Sequence, residues 1–147
     1  MNQRNPTQKK KVLFLCTGNS CRSQMAEAVV NHTLPGWKAY SAGTDPAGYV
    51  HPQAQEVLQE INIDHQGTSK NAAEFREVDF DLVVTVCDHA RETCPVWLGE
   101  GKVIHSSFRD PAQAEGTQEE IRAEFREVRD QIRETIPNLL TDQQKRG

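Results

Sequence analysis

The chain has 147 residues, 36% of them hydrophobic and 26% charged, which suits one domain of ordinary globular composition. Its formal net charge of −4 at pH 7 disfavours a nucleic-acid-binding protein, which usually carries a basic surplus. No apolar stretch is long enough to span a bilayer and the apolar run after the basic N-terminus is too short for a signal peptide, so we expect a cytoplasmic protein with no membrane partner.

The first half of the chain alternates strand-like and helix-like segments. The apolar run at 12–16 predicts a buried parallel strand, and 23–34 predicts a helix that ends before a Pro-Gly pair. Residues 37–42 predict a second strand, 52–60 a helix with one apolar face, and 72–78 a short helix. This order of segments is typical of an α/β protein.

The second half continues the alternation. The Val-rich run DLVVTVC at 81–87 predicts the strongest strand, and 102–108 predicts another. A final helix is predicted to open with a capping box between Thr117 and Glu120, and Pro137 is expected to limit or kink its end. We therefore expect a three-layer sandwich, with a four-stranded parallel sheet and helices on both faces.

The chain shows no internal repeat, linker or low-complexity segment. We expect a flexible N-terminal tail at 1–10, a single domain at 11–141 and a C-terminal tail at 142–147. The default expectation for the oligomeric state is a monomer.

The segment CTGNSCRS at 16–23 stands where a strand ends and a helix begins. In this position a loop wraps main-chain N–H groups around an oxyanion, and the helix N-terminus adds partial positive charge. Gly18 allows close approach of the backbone, Asn19 tolerates an unusual φ, and the planar fork of Arg22 matches two oxygens of a tetrahedral anion. The residues expected to bind the anion are Thr17, Gly18, Asn19, Ser20, Cys21, Arg22 and Ser23.

Cys16 is the candidate nucleophile. A helix N-terminus and a nearby Arg22 favour the thiolate form of a cysteine, and Ser23 can donate a hydrogen bond to it. The alternative is that Cys16 is a small buried residue at the end of a strand. The Gly, Asn and Ser residues of the surrounding loop favour the interpretation of Cys16 as a catalytic nucleophile.

The remaining cysteines do not form a CxxC pair. Cys21 lies inside the loop, and Cys87 and Cys94 are separated by six residues. A zinc site built on Cys87, His89 and Cys94 has an unusual spacing and lacks an obvious fourth ligand, so we expect no metal. The simplest alternative is that Cys87 is a buried strand residue and Cys94 an incidental surface thiol.

The run VLFLCTGNSCRSQMAEA at 12–28 resembles the phosphate-binding loop shared by low-molecular-weight protein tyrosine phosphatases and the related arsenate reductases. Similarity to the reductase branch extends through YSAG at 40–43, DLVVTVC, the second cysteine pair, FRDP at 108–111 and the final helix. The resemblance implies a low-molecular-weight phosphatase-like fold. With strand order 2-1-3-4, as in flavodoxin-like sheets, the strands that end at Cys16 and Cys87 are neighbours.

The resemblance also implies a reaction. Cys16 attacks arsenate, Cys87 attacks the arseno-cysteine and releases arsenite, and Cys94 resolves the resulting disulfide for reduction by thioredoxin as external reductant. No bound cofactor is expected. The general acid implied by the resemblance is Asp110, whose alternative role is a turn residue before proline.

A low-molecular-weight protein tyrosine phosphatase is the alternative function. The related phosphatases carry aromatic residues beside their Asp-Pro motif, whereas Ala112 and Gln113 stand here. Family members of the reductase branch bind potassium through positions that match Asn19, Glu27 and Ser41 together with an aspartate. Lys70 stands at the aspartate position, so we expect weak or absent potassium dependence. Cys21 is not expected to be catalytic.

Overall fold

The computed structural model describes residues 8–88, 97 and 99–146. Four parallel strands form one sheet in the order β2-β1-β3-β4, which confirms the predicted order. The strands are β1 (Lys10–Cys16), β2 (Trp37–Gly43), β3 (Leu82–Thr85) and β4 (Lys102–His105). The described helices are α1 (Arg22–Thr33), α2 (Pro52–Gln59) and α3 (Gln118–Arg146), with 3-10 helices at Ala72–Phe75 and Pro111–Gln113.

Strand β1 lies in the middle of the sheet between β2 and β3, and its residues 12–15 are fully buried. Val12 and Phe14 face a core built with residues of α1, α2 and α3. Leu13 and Leu15 face a second core on the opposite side of the sheet. The period-two alternation of a strand therefore supplies both cores from one short run, and the result is the three-layer arrangement that the sequence predicts.

The second core contains a cluster of aromatic rings. Phe80 lies 5.6 Å from Tyr40 and 6.0 Å from Trp97 between ring centroids, and Phe75 of the first 3-10 helix completes the group. Among the described residues, these rings cover the face of the sheet opposite α1 and α3.

Several predicted boundaries differ from the structure. The expected helix at 72–78 is a 3-10 helix limited to 72–75, and the strands β3 and β4 are each shorter than expected. Lys10, expected in the N-terminal tail, begins β1.

Helix α3 begins as predicted and ends later than predicted. Thr117 and Glu120 form the capping box, with both N–H to oxygen distances at 3.1 Å. Pro137, expected to limit or kink the helix end, does not end the helix, because α3 continues through 142–146 to Arg146. Ile136 and Leu140 are fully buried on either side of the proline, so packing outweighs its missing N–H. None of the described helices is long and apolar enough to cross a membrane.

Candidate active site

The loop between β1 and α1 is held from outside through its carbonyl oxygens. The carbonyls of Thr17, Gly18 and Ser20 accept hydrogen bonds of 2.9, 2.9 and 3.0 Å from main-chain N–H groups of segment 45–51. Ser69 Oγ donates a further bond of 3.1 Å to the Gly18 carbonyl. The N–H of a trans peptide points opposite to its C=O. Because these carbonyls point toward segment 45–51, the N–H groups of the same peptide units are turned toward the opposite side of the loop.

A pocket of about 410 Å³ lies on that opposite side, and it is lined by Cys16, Thr17, Gly18, Asn19, Ser20, Cys21, Arg22, Asp110 and Gln113. Helix α1 begins at its base. The N-cap residue of α1, Cys21, makes no side-chain capping hydrogen bond, whereas α3 has its capping box. The N-terminus of the helix, with its main-chain N–H groups and its dipole, suits an anion.

Cys16 lines the pocket, and only 2% of the residue is exposed to solvent. Ser23 Oγ is 2.9 Å from the sulfur, and the main-chain N–H of Asn19 donates to it over 3.2 Å. Asn19 adopts a positive φ of 49°, as its residue type permits, and its Nδ2 donates to Ser23 Oγ over 2.8 Å. Two groups of the loop thus lie within hydrogen-bond distance of the sulfur.

Arg22 connects the loop to the segment after β4. Its Nη1 donates to the Phe108 carbonyl over 3.1 Å, and its Nη2 lies 3.7 Å from Asp110 Oδ2. Asp110 Oδ1 accepts the N–H of Ala112 over 3.0 Å, so Oδ2 is the oxygen that faces the guanidinium and the pocket. The sheet therefore brings Asp110 and Cys16 to one pocket, as the sequence predicts.

Strand β3 carries Cys87 to the same edge of the sheet. Thr85 pairs with Leu15, and the Val86 N–H donates to the Leu15 carbonyl over 2.9 Å, one residue from each cysteine. Cys87 is fully buried and disulfide-bonded, whereas Cys16 and Cys21 are free. Cys94, the third member of the predicted relay, lies outside the described residues.

Cys21 differs chemically from Cys16. Burial raises the pKa of the Cys21 thiol to about 12, above its usual 9.0, in spite of a contact of 3.5 Å with Ser20 Oγ. A thiol in this state is not an effective nucleophile at neutral pH.

A partly buried ion pair lies behind the loop at the expected cation position. Ser41 Oγ donates to Glu27 Oε1 over 2.9 Å, and Lys70 Nζ lies 3.9 Å from the same oxygen. Burial raises the pKa of Glu27, and the ammonium of Lys70 opposes that rise. In the described ranges, no group of three or more His, Cys, Asp or Glu side chains is arranged to hold a metal ion.

Gln24, His65 and Gly43 take part in the site but were not predicted to. Gln24 is fully buried and donates to Asn19, and His65 contacts Gln24 from 41 residues away. A Cβ atom at Gly43 would overlap the Thr17 carbonyl, so β2 requires a glycine beside the loop. For Gly43, its position at the end of a predicted strand was the only sequence signal of a role in the site. For Gln24 and His65 there was no signal, because a contact across 41 residues leaves no local sequence pattern.

Comparisons with known proteins agree with this geometry. The family model for low molecular weight phosphotyrosine protein phosphatases matches residues 11–147. An arsenate reductase of Halalkalibacterium halodurans is 47% identical over 130 residues, which cover 87% of this chain and 93% of that protein. Among solved structures, arsenate reductase from Archaeoglobus fulgidus is 35% identical, with a TM-score of 0.64 and coverage of 82% of this chain and 98% of that one.

A second solved structure, an arsenate reductase in an oxidized state, is 30% identical with a TM-score of 0.72, and the match covers 90% of this chain and 98% of that one. Both the sequence and the fold are thus shared over nearly the whole length. The chain belongs to the low molecular weight phosphotyrosine protein phosphatase family, in the branch that contains arsenate reductases.

Proposed function

We propose that this protein reduces arsenate to arsenite with electrons supplied by its own cysteines. The observation that supports this most strongly is the position of Cys87, two residues beyond β3, beside the strand that ends at the buried Cys16. A phosphatase needs only one cysteine at this loop. A second cysteine at the neighbouring strand end supplies what a two-electron reduction requires.

The first step is nucleophilic attack. The loop N–H groups and Arg22 hold the arsenate oxygens, and the Cys16 thiolate attacks arsenic to form a sulfur–arsenic bond. One arsenate oxygen leaves as water after protonation, and Asp110 Oδ2 is the proton donor on the facing wall.

Reduction occurs in the second step. The Cys87 thiolate attacks the Cys16 sulfur, the sulfur–arsenic bond breaks, and its electron pair remains on arsenic, which leaves as arsenite. Two thiolates are thereby oxidised to a Cys16–Cys87 disulfide.

Regeneration requires Cys94 and an external dithiol. The Cys94 thiolate attacks Cys87 and releases Cys16, and thioredoxin then reduces the Cys87–Cys94 disulfide. A disulfide at Cys87 together with a free Cys16 is the state expected after this exchange. The cycle requires a reducing compartment, so we place it in the cytoplasm, and we propose a monomeric enzyme without a bound cofactor.

Phosphate-monoester hydrolysis is a second candidate, because the family is named for phosphotyrosine phosphatases and the first step is shared. It needs Cys16, Arg22 and Asp110 but neither Cys87 nor Cys94. We expect it to be the minor activity, because Ala112 and Gln113, which follow Asp110, provide no aromatic side chain to contact a phosphotyrosine ring.

A coupled assay with thioredoxin, thioredoxin reductase and NADPH tests the proposal. Arsenate-dependent NADPH oxidation should require Cys16, Cys87 and Cys94, each tested as a Cys→Ser variant. Hydrolysis of 4-nitrophenyl phosphate should require Cys16 alone among them. Full arsenate turnover by Cys87→Ser would refute the proposed electron route.

A further inference from the structure

A chain of buried polar side chains connects the Cys16 sulfur to His65 on the far side of the loop. It runs from Ser23 through Asn19 and Gln24, with successive contacts of 2.8, 3.0 and 2.7 Å, the last between Gln24 Oε1 and His65 Nε2. Ser23, Asn19 and Gln24 are each fully buried, and the His65 side chain is 8% exposed.

Three main-chain groups determine how the amides in this chain are oriented. The Lys70 N–H can only donate, and it lies 2.8 Å from Asn19 Oδ1, so Asn19 Nδ2 must face Ser23. The Thr68 and Asn19 carbonyls can only accept, and they lie 2.8 and 3.1 Å from Gln24 Nε2. Gln24 Oε1 must therefore face His65.

The proton positions follow from these orientations. Since Gln24 Oε1 can only accept, His65 must carry its proton on Nε2. Since Ser23 Oγ accepts from Asn19, its own hydrogen is available for the Cys16 sulfur, 2.9 Å away. Every bond in the chain then donates toward the sulfur.

We infer that His65 is a positioning residue for the nucleophile: its Nε2–H fixes Gln24, which holds Asn19 in its left-handed conformation and orients the Asn19 and Ser23 donors toward the Cys16 thiolate. The inference rests on the proposed role of Cys16 as the attacking thiolate. Because buried hydrogen bonds in series polarise one another, loss of the first donor weakens the last.

The surroundings of His65 keep this arrangement in place. Burial and the charge of Lys70 lower the pKa of His65, so the ring is neutral at neutral pH and has a single N–H. Glu27 Oε2 lies 3.6 Å from Nε2 and favours a proton on that nitrogen. Gly67 packs directly against the contact, and a Cβ atom there would overlap both His65 Nε2 and Gln24 Oε1.

Gly67 provides a way to break the same bond without changing either partner. We expect His65→Leu and Gly67→Ala each to slow alkylation of Cys16 by iodoacetamide at neutral pH by roughly five- to tenfold, because fewer donors stabilise the thiolate. In His65→Gln, the amide N–H replaces Nε2–H, and the rate should remain within about twofold of wild type. His32→Ala, at an exposed site on α1, is the matched control.

Tandem mass spectrometry of the tryptic peptide 12–22, whose fragments distinguish Cys16 from Cys21, measures Cys16 alkylation on the full chain and does not depend on arsenate turnover. A failed arsenate assay therefore leaves this test intact. Wild-type alkylation rates in both folded His65→Leu and folded Gly67→Ala would overturn the inference, as would a His65→Gln rate as low as that of His65→Leu.

The ring proton can also be read directly in the wild-type protein, which avoids any folding defect in the variants. Nuclear magnetic resonance of the isotope-labelled imidazole nitrogens should show His65 protonated at Nε2 and not at Nδ1 at neutral pH. The opposite tautomer would overturn the inference.

Discussion

The two walls of the pocket are built differently. The thiol wall, formed by Cys16 and Asn19 with Ser23 in contact behind them, is almost fully buried, and its geometry is set by main-chain bonds and buried amides. The acid wall carries Asp110, whose side chain is 22% exposed. A nucleophile benefits from a fixed, dry surrounding, whereas an acid must be reprotonated from solvent in every cycle. The difference in burial matches the difference in chemical task.

Removal of the sulfur is the most severe disruption of the thiol wall. Cys16→Ser should reduce both arsenate reduction and phosphate-ester hydrolysis by at least about 10⁴-fold, since the remaining loop can bind the anion but cannot form the covalent intermediate. Cys21→Ser is the matched control, because the high pKa of that buried thiol keeps it from competing as a nucleophile. Equal losses in the two variants, measured by steady-state kinetics, would contradict the assignment.

The acid wall should be less sensitive. Asp110→Asn keeps the size of the side chain and removes its proton, so kcat should fall by about 10²- to 10⁴-fold with little change in binding. For phosphate esters, the loss should shrink as the leaving group becomes more acidic and needs less protonation. A constant loss across a series of aryl phosphates would mean that Asp110 acts only on loop structure.

Much of the candidate site, though not the difference in burial, could be predicted from the sequence. The segment CTGNSCRS between an apolar strand and a helix indicated the loop, and the strand ends at Cys16 and Cys87 indicated their proximity. Parallel strands fix which edge their last residues reach, and the strand order 2-1-3-4 that accompanies the family resemblance makes these two strands neighbours.

Other parts of the site depend on contacts between distant residues. The hydrogen bond between His65 and Gln24 joins residues that are 41 positions apart in the sequence. The main-chain hydrogen bonds from segment 45–51 to the loop depend on the path of an irregular segment. No periodicity encodes such contacts. The final helix shows the same limit, because buried residues on either side of Pro137 carry it past the expected end.

The ion pair behind the thiol wall offers a test with an intermediate effect. Burial raises the pKa of Glu27 above 4.5, so ionised Glu27 costs folding stability that Lys70 partly restores. Lys70→Met should therefore be destabilised by roughly 1–2 kcal/mol at neutral pH. The loss of unfolding free energy in Lys70→Met should vanish below pH 4.5, where Glu27 is protonated in both the folded and the unfolded protein. The loss should grow as pH rises through the raised pKa of Glu27 in the folded protein. Urea unfolding across a pH series measures this.

The response of activity to potassium is a second test of the ion pair between Lys70 and Glu27. At fixed ionic strength, wild type should respond weakly to potassium because the Lys70 ammonium already lies near Glu27. Lys70→Met should show a saturable, several-fold rise in activity. A large saturable rise in the wild-type enzyme would contradict the role of the ammonium.

The smallest effect on activity is expected from the ion pairs that connect Arg109, next to Asp110, with helix α3. Arg109 Nε and Nη2 bind Glu124 and Glu127 of α3 over 2.8 and 2.9 Å, and all three side chains are more than a third exposed. Because exposed ion pairs contribute little, Arg109→Ala should lower kcat only about two- to threefold, through looser positioning of Asp110. Arg133→Ala, which breaks the exposed pair with Asp130, is the control. A larger loss than in Asp110→Asn would mean that Arg109 acts in the chemistry itself.

A single-turnover experiment on reduced Cys94→Ser tests the central claim most directly. One equivalent of arsenate should give one equivalent of arsenite and a Cys16–Cys87 disulfide that persists because no third cysteine resolves it, as identified by peptide mapping without reductant. Arsenite formed with Cys87 still a free thiol, or a disulfide between Cys16 and Cys21 in its place, would contradict the account.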